Sequence, residues 1–253
     1  MSALLGKIAL VTGAGQGVGQ GIAIAMAKAG AAIAVVGRTE AQLLATCRLI
    51  EQLDGRSEPI VCDVKRAEDI TAAVARTVAV FGAVDILVNN AYEGVIGPLL
   101  SIDDDAFMRG IASGPLAVFR FMRACHPHMK QRGSGDIINL VTSAAVRWDA
   151  SNYGAYAVAK QGIRALTRAA ACEWGKDGIR VNNIAPHALS PALRAWSEAR
   201  PAEAEEFFKT IPLGRVGDCE IDIGRAVVAL LGPELRYLTG ATIPLDGGQA
   251  YFG

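Results

Sequence analysis

The stretch Thr12-Gly13-Ala14-Gly15-Gln16-Gly17-Val18-Gly19 decides the fold of this chain. It follows an apolar run over Lys7–Thr12 that predicts a strand, and it leads into a helical pattern over Gly17–Ala29. Glycines at such a turn let the backbone approach an anionic group, which then lies against the exposed N–H groups of the helix start. The spacing is Gly-x-x-x-Gly-x-Gly rather than the stricter Gly-x-Gly-x-x-Gly. The stretch therefore predicts a phosphate-binding loop, with a purely structural glycine turn as the alternative.

Outward from this loop, runs rich in Val and Ile alternate with longer helical patterns such as Glu40–Leu53. Because these runs are apolar on both faces, they predict a parallel sheet covered by helices on both sides. No repeat or linker interrupts residues 1–253, so we expect one doubly wound α/β domain. The further predicted strands are Ala31–Gly37, Ser57–Cys62, Val84–Asn89, Asp136–Val141, Gly178–Ile184 and Thr242–Leu245.

One segment, residues 187–215, departs from this alternation. It contains Pro191, Pro201 and Pro212 within a mixed acidic and aromatic pattern. The pattern predicts one or two short helices in a long connection. Long connections in compact domains are often lids, and the alternative is a surface hairpin without a catalytic role.

Composition excludes several function classes. The 253 residues are 51% apolar and carry no formal net charge, so nucleic acid and anionic membrane surfaces are poor candidate partners. The first residues lack a signal-peptide pattern, and no apolar run reaches transmembrane length. The cysteines are odd in number and contain no C-x-x-C pair, which argues against disulfides and a metal site and favours a reduced cytoplasm. They are Cys47, Cys62, Cys125, Cys172 and Cys219.

The end of the second predicted strand indicates which nucleotide the loop would bind. An acidic residue that binds a ribose 2′-hydroxyl is expected about twenty residues after the loop. That place holds Gly37-Arg38-Thr39, where a small residue leaves room for a 2′-phosphate and Arg38 offers a planar cationic group. The sequence therefore favours NADP(H) and leaves NAD(H) possible. A solvated loop arginine is the alternative, and Gln16 stands where a second cation would have strengthened the case.

A catalytic pair is predicted on the helix over Tyr153–Trp174. Tyr156 and Lys160 are four residues apart, so both side chains lie on one face of that helix. A neighbouring ammonium lowers the pKa of a tyrosine and makes it a usable acid or base. Ser143 follows the strand ending at Val141, and a strand end and a helix face can converge at the carboxyl edge of the sheet.

In order and spacing, these motifs resemble those of the short-chain dehydrogenase/reductase family. The resemblance runs from about Lys7 to Gly248. The motifs that carry it are Thr12–Gly19, Asn89-Asn90-Ala91, Ser143, Tyr156-x-x-x-Lys160, Ile179-Arg180-Val181-Asn182 with Ala185-Pro186, and Thr239-Gly240 with Asp246-Gly247-Gly248.

The resemblance implies a Rossmann-type sheet of seven mostly parallel strands and an oxidoreductase that transfers a hydride between NADP(H) and an alcohol or ketone. It implies a homotetramer or dimer, joined through helices around Phe107–Lys130 and Tyr153–Trp174. Ser143, Tyr156 and Lys160 would be catalytic: Tyr156 moves the proton, Lys160 lowers its pKa and binds the nicotinamide ribose, and Ser143 holds the substrate oxygen. The cofactor-binding positions would be Gly13, Gln16, Gly17, Val18, Gly19, Arg38, Asp63, Val64, Asn90, Tyr156, Lys160, Pro186 and Leu189.

The sequence departs from the family at the position of a fourth catalytic residue, an asparagine that kinks its helix and helps to hold a water in the proton relay. Gly114 stands there, followed by Pro115. Pro115 cannot donate to the carbonyl of Ile111, so we expect a kink, and our hypothesis is that this carbonyl and the Ser113 hydroxyl hold the relay water. The alternative is a chain with weakened catalysis that serves as a nucleotide-binding regulator or scaffold.

Two further departures lie near the expected substrate pocket. Tyr92 ends the motif that normally reads Asn-Asn-Ala-Gly, and His187 replaces the glycine after Pro186. We expect Tyr92, Trp148, Tyr153 and His187 to line the pocket. Non-redox chemistry, as in relatives resembling halohydrin dehalogenases, is disfavoured because those relatives lack the glycine loop and the lysine.

Overall fold

The strands form one sheet in the computed structural model, which describes residues 3–147 and 152–250. The strand order is β3-β2-β1-β4-β5-β6-β7, and every described pairing is parallel, so the expected mostly parallel sheet is fully parallel here. The strands are β1 Ile8–Thr12, β2 Ala32–Gly37, β3 Ser57–Val61, β4 Ile86–Asn89, β5 Gly135–Leu140, β6 Ile179–Pro186 and β7 Thr242–Leu245.

Helices cover both faces of this sheet. The core on one face joins the strands to α3, α5 and α6, and the core on the other face joins them to α1, α2 and α9. The α-helices in the described residues are α1 Gly17–Lys28, α2 Glu40–Glu51, α3 Ala67–Phe81, α4 Asp104–Ile111, α5 Ala117–Arg132, α6 Gly154–Trp174, α7 Pro191–Ala199, α8 Pro201–Lys209 and α9 Arg225–Leu231.

The strand order reverses between β1 and β4. In an open parallel sheet such a reversal leaves a crevice at the carboxyl ends of the strands, where ligands bind. The glycine loop follows β1, and Asn90 follows β4. The sheet topology therefore brings these two predicted cofactor-binding segments to the same crevice.

Two predicted elements differ from the structure in an informative way. β6 continues two residues beyond Ile184, because Ala185 and Pro186 pair with Pro244 and Leu245 of β7. The helix expected around Phe107–Lys130 is interrupted: a wider π-helical turn over Ala112–Leu116 separates α4 from α5, and Gly114 within it has non-helical backbone angles. The predicted kink at Pro115 is confirmed.

A row of polar side chains, all buried except the half-buried Thr242, ties α6 to four strands. Asn89, Asn139, Asn183 and Thr242 are register partners on adjacent strands. Asn139 accepts from the Asn89 amide at 2.8 Å and donates to the Thr167 hydroxyl at 2.8 Å. Thr167 in turn donates to Asn183 at 2.6 Å, and Asn183 donates to Thr242 at 3.1 Å. These bonds satisfy the buried groups and fix where α6 lies on the sheet.

The long connection contains the two short helices α7 and α8. Ser190 caps α7 by accepting a hydrogen bond from the Leu193 N–H. Trp196 of α7 and Phe207 of α8 meet edge to face, with ring centroids 5.7 Å apart, and the His187 ring lies 5.3 Å from Phe207. The connection is therefore packed by its own aromatic side chains. Over the described ranges, no helix has the length and apolar character needed to cross a membrane.

Candidate active site

The glycine loop is built for close backbone approach. Gly13 has φ +65°, a conformation that favours glycine. A Cβ at Gly19 would lie 2.3 Å from the Gly13 carbonyl oxygen, so any side chain there would collide with the loop. The Asn90 amide donates to the carbonyls of Thr12 and Gly13 at 2.9 and 3.1 Å. Asn90, which follows β4, therefore fixes the position of the loop through these hydrogen bonds.

The start of α1 has no side-chain cap. Gln16 precedes the first turn, and its side chain makes no capping hydrogen bond. The N–H groups of the first turn lack partners within the helix, so a phosphate can supply them. Gly17, Val18 and Gly19 form that turn, as the sequence predicts.

Arg38 follows β2, where the sequence predicts it, and pairs with a carboxylate across the crevice. Its Nη1 lies 2.5 Å from Oε2 of Glu93, which also accepts from the Lys65 ammonium at 2.9 Å. Lys65 and Arg38 hold the pKa of Glu93 below its ordinary value. Asp63 accepts from the Lys65 N–H at 3.0 Å, and Val64 is buried in the core. The sequence places Glu93 beside the expected pocket but does not indicate its pairing with Arg38, because nothing local marks it as the partner of a residue 55 positions away.

Lys160 is buried one turn behind Tyr156. Its ammonium donates to the Leu140 carbonyl at 2.8 Å and lies 5.6 Å from the Tyr156 ring centroid. Burial lowers the pKa of Lys160 to about 7. Burial also raises the pKa of Tyr156 to about 12, although a hydrogen bond with the Thr142 side chain acts in the opposite direction. In this state desolvation outweighs the expected lowering of the tyrosine pKa by the lysine.

Ser143 lies at the carboxyl edge of β5, but its hydroxyl bonds to Asp246 and not to Tyr156. Its hydroxyl donates a very short hydrogen bond to Oδ2 of Asp246. Asp246 also accepts from the N–H groups of Gly248 and Ala250, both at 3.1 Å. Tyr156 instead forms a side-chain hydrogen bond with Thr142. Sequence analysis included Asp246 only in the closing family motif and did not identify Thr142.

The predicted pocket residues occupy different places. The Tyr92 and Tyr153 rings lie 5.1 and 6.0 Å from the Tyr156 ring. His187 lies against the long connection, and burial lowers its pKa. Both of its ring nitrogens are buried without a hydrogen-bond partner among the residues described. Trp148 lies outside the described residues.

The last two predicted cofactor positions lie at the end of β6 and just beyond it. Pro186 pairs in register with Leu245 of β7. The Leu189 N–H donates to the Gly217 carbonyl at 2.9 Å. Both therefore lie at the carboxyl edge of the sheet, on the side of the crevice opposite Arg38.

The hypothesis about Ser113 does not agree with the structure. Its hydroxyl lies 2.7 and 2.8 Å from the carbonyls of Glu93 and Arg109 and accepts from the Glu93 N–H at 3.0 Å. These bonds use the single hydroxyl hydrogen and one acceptor site, so Ser113 anchors the loop after β4 and has no hydrogen to donate to a relay water.

The comparisons with known proteins agree with this geometry. A family model described as enoyl-(acyl carrier protein) reductase matches residues 13–250. The chain is 39% identical over 252 residues to a 12alpha-hydroxysteroid dehydrogenase from a Clostridium species, covering 96% of each. It is 38% identical to the short-chain reductase protein NovJ of Streptomyces niveus, covering 96% of this chain and 93% of that one.

Two solved structures are also close. A 7 alpha-hydroxysteroid dehydrogenase complexed with NADH and 7-oxo glycochenodeoxycholic acid superposes with a TM-score of 0.91 at 31% identity, covering 98% and 95% of the two chains. Levodione reductase superposes with a TM-score of 0.90 at 30% identity, covering 97% and 98%. The chain belongs to the short-chain dehydrogenase/reductase family. It is an NAD(P)-dependent oxidoreductase of the class that acts on hydroxyl and carbonyl groups.

Proposed function

We propose that this protein is an NADP(H)-dependent oxidoreductase that interconverts a secondary alcohol and a ketone. The observation that carries the proposal is the buried Lys160, held one turn behind Tyr156 and bonded to the Leu140 carbonyl at the carboxyl end of β5. Burying a lysine without an acidic partner costs free energy, so its presence here supports a functional role. No acidic partner of Lys160 occurs in the described part of the chain.

The dinucleotide, when bound, supplies or accepts the hydride. In reduction the Tyr156 hydroxyl donates its proton to the substrate oxygen, and in oxidation it takes that proton back. Burial keeps Tyr156 protonated at neutral pH, which is the form required of a proton donor in ketone reduction. Lys160 places a positive charge beside it when protonated, and Ser143 would hold the substrate oxygen once its hydroxyl turns from Asp246.

The crevice fits a dinucleotide phosphate. Gly13 and Gly19 let the loop pack closely on itself and on Asn90, and the uncapped start of α1 presents N–H groups to a pyrophosphate. Arg38, after β2, supports NADP(H), because a guanidinium binds a phosphate through paired hydrogen bonds. NAD(H) stays possible, since Glu93 already engages Arg38 and one structural neighbour was solved with NADH.

We further propose a ketone or alcohol on a fused-ring skeleton as the substrate class. Two similar proteins are named as hydroxysteroid dehydrogenases, so the hydroxyl groups that they act on lie on such a skeleton. The aromatic side chains Tyr153, Trp196 and Phe207 offer apolar surface at the same edge of the sheet. The two ring nitrogens of His187, which have no hydrogen-bond partner among residues 3–147 and 152–250, can recognise a polar group.

The test is NADPH and NADH oxidation at 340 nm with steroid, monocyclic, aromatic and aliphatic ketones. We expect turnover with NADPH, fastest on the ring ketones, and loss of at least about a hundredfold in Tyr156→Phe. Tyr237→Phe is the matched control, because Tyr237 is fully exposed. Tight NADPH binding without oxidation by any ketone would overturn the proposal and favour a nucleotide-binding regulator.

Self-association through α5 and α6 is part of this proposal. Leu116, at the start of α5, Phe119 on α5 and Val158 on α6 are exposed large apolar residues. We expect the wild type to sediment as a dimer or tetramer and Phe119→Glu to shift it toward the monomer. A monomeric wild type would refute self-association through α5 and α6. The described cysteines are all free, which suits the reduced cytoplasm expected for this chain.

A further inference from the structure

Tyr92 occupies a space that three glycines leave open. A Cβ on Gly114 would lie 3.3 Å from Cε2 of the Tyr92 ring, and a Cβ on Gly94 would overlap its hydroxyl. A Cβ on Gly110 would lie 3.1 Å from the same hydroxyl oxygen. Ser113 holds the adjoining Glu93 backbone to α4 through the bonds described above. These contacts therefore fix the position of the Tyr92 ring.

The Tyr92 ring lies beside Lys160 and Tyr156. The Lys160 ammonium lies 4.6 Å from the Tyr92 ring centroid, closer than the 5.6 Å to the Tyr156 ring. The Tyr92 and Tyr156 ring centroids are 5.1 Å apart. A cation at this distance from an aromatic face is stabilised by the ring quadrupole, most strongly where water is excluded.

Few other groups face Lys160. Leu140 contributes a carbonyl from the end of β5, and Tyr156 lies on the same helix. No carboxylate in the described residues acts on the lysine. The Gly114 carbonyl is also engaged, since it accepts the Ala117 N–H. The aromatic face of Tyr92 is thus the main group, besides one carbonyl, that can favour the charged lysine.

We propose that Tyr92 is a positioning residue that takes the place of the missing asparagine: its ring fills the space above Gly114 and holds the Lys160 ammonium beside Tyr156. This inference rests on the proposed function. The two departures from the family are linked, because the large Tyr92 side chain needs the space that a side chain at position 114 would take. An asparagine at 114 and a tyrosine at 92 would compete for one space.

The first test measures Lys160 itself and does not depend on turnover. In the unliganded protein carrying 13Cε-labelled lysine, NMR titration gives the pKa of Lys160, with Lys160→Met used for assignment. We expect Tyr92→Leu to lower this pKa by about 0.5 to 1 unit and Tyr92→Phe, which keeps the ring, to leave it within about 0.2 unit. Tyr237→Leu serves as the matched surface control, and Tyr92→Met replaces Tyr92→Leu if the latter does not fold.

The second test is a double-mutant cycle on ketone reduction. Gly114→Asn alone should lower kcat about tenfold, because its side chain meets the Tyr92 ring, whereas the same change should raise kcat about tenfold in a Tyr92→Gly background. An unchanged lysine pKa in Tyr92→Leu, or in Tyr92→Met where that variant replaces it, would overturn the inference. Independent effects at positions 92 and 114 would also overturn it. If Tyr92→Leu lowers the pKa of Lys160 but the wild-type protein reduces no ketone, the proposed function is refuted and the role of Tyr92 is retained.

Discussion

Ser143 gives its hydroxyl hydrogen to Asp246, 103 residues further along the chain, in a very short hydrogen bond. A serine has one hydrogen to donate, so Ser143 cannot donate to a substrate oxygen while this bond exists. The carboxylate also holds the backbone of the turn after β7. Asp246 therefore competes with substrate for the hydroxyl that the proposed mechanism uses.

Replacing Asp246 with asparagine should release this competition. The amide oxygen of Asp246→Asn can still accept one backbone N–H, but it binds the Ser143 hydroxyl less strongly than a carboxylate does. We expect kcat/KM for ketone reduction to rise about threefold to tenfold, with Ser143→Ala as the reference for a lost hydroxyl. A fall in kcat/KM with an unchanged melting temperature would show that Asp246 orients Ser143 productively.

The pKa of Lys160 predicts how stability depends on pH. Burial lowers this pKa from 10.5 to about 7, so the unfolded chain binds more protons than the folded chain between these values. Stability from this group therefore rises with pH across that window and is least favourable below pH 7. Relative to Lys160→Met, which does not titrate, the wild type should gain about 3 to 4 kcal/mol in free energy of unfolding between pH 6 and pH 10. Urea unfolding at both pH values measures this difference, and a constant gap would contradict it.

Arg38 and Glu93 together predict the cofactor preference. Arg38→Ala should weaken NADPH binding about tenfold to a hundredfold and leave NADH binding unchanged, because only NADPH carries the 2′-phosphate. Glu93→Gln should strengthen NADPH binding about twofold to fivefold, since an exposed ion pair is weak and its loss frees Arg38. Fluorescence titration measures both, with Arg48→Ala on the exposed side of α2 as the control. Equal effects on NADPH and NADH would exclude recognition of the 2′-phosphate.

Thr167 predicts how firmly α6 is attached to the sheet. Thr167→Val removes the hydroxyl that joins Asn139 and Asn183 and leaves both buried amides short of a partner. We expect the free energy of unfolding to fall by about 2 to 4 kcal/mol and kcat to fall with it, because α6 carries Tyr156 and Lys160. Thr71→Val is the control, since its hydroxyl is exposed on α3 and bonds only to its own helix. Equal stability of the two variants would contradict the attachment.

Sequence patterns predicted the architecture well because the signals are local. The glycine loop, the Val- and Ile-rich strands and the four-residue spacing of Tyr156 and Lys160 each depend on neighbouring residues only. Strand ends differed by one or two residues, as at β6, where pairing with β7 sets the end.

Side-chain partners were far less predictable. Asp246 and Glu93 lie 103 and 55 residues from Ser143 and Arg38, and no spacing rule marks such pairs. Tyr92 was expected to line the substrate pocket, but its contact with Lys160 could not be predicted, because it depends on the room that Gly94, Gly110 and Gly114 leave. The reversal of the expected tyrosine pKa shift has a similar origin, since burial is a property of the whole fold.

The row from Asn89 to Thr242 also constrains the order in which the molecule can assemble. Asn183 needs Thr242 as well as Thr167, so the polar face of α6 is complete only after the last strand has joined the sheet. Until then, the helix that carries Tyr156 and Lys160 would cover amides with unmet hydrogen bonds. The amide hydrogens of β7 and α6 should therefore become protected from exchange in the same kinetic step of refolding, after those of β1, β2 and β4.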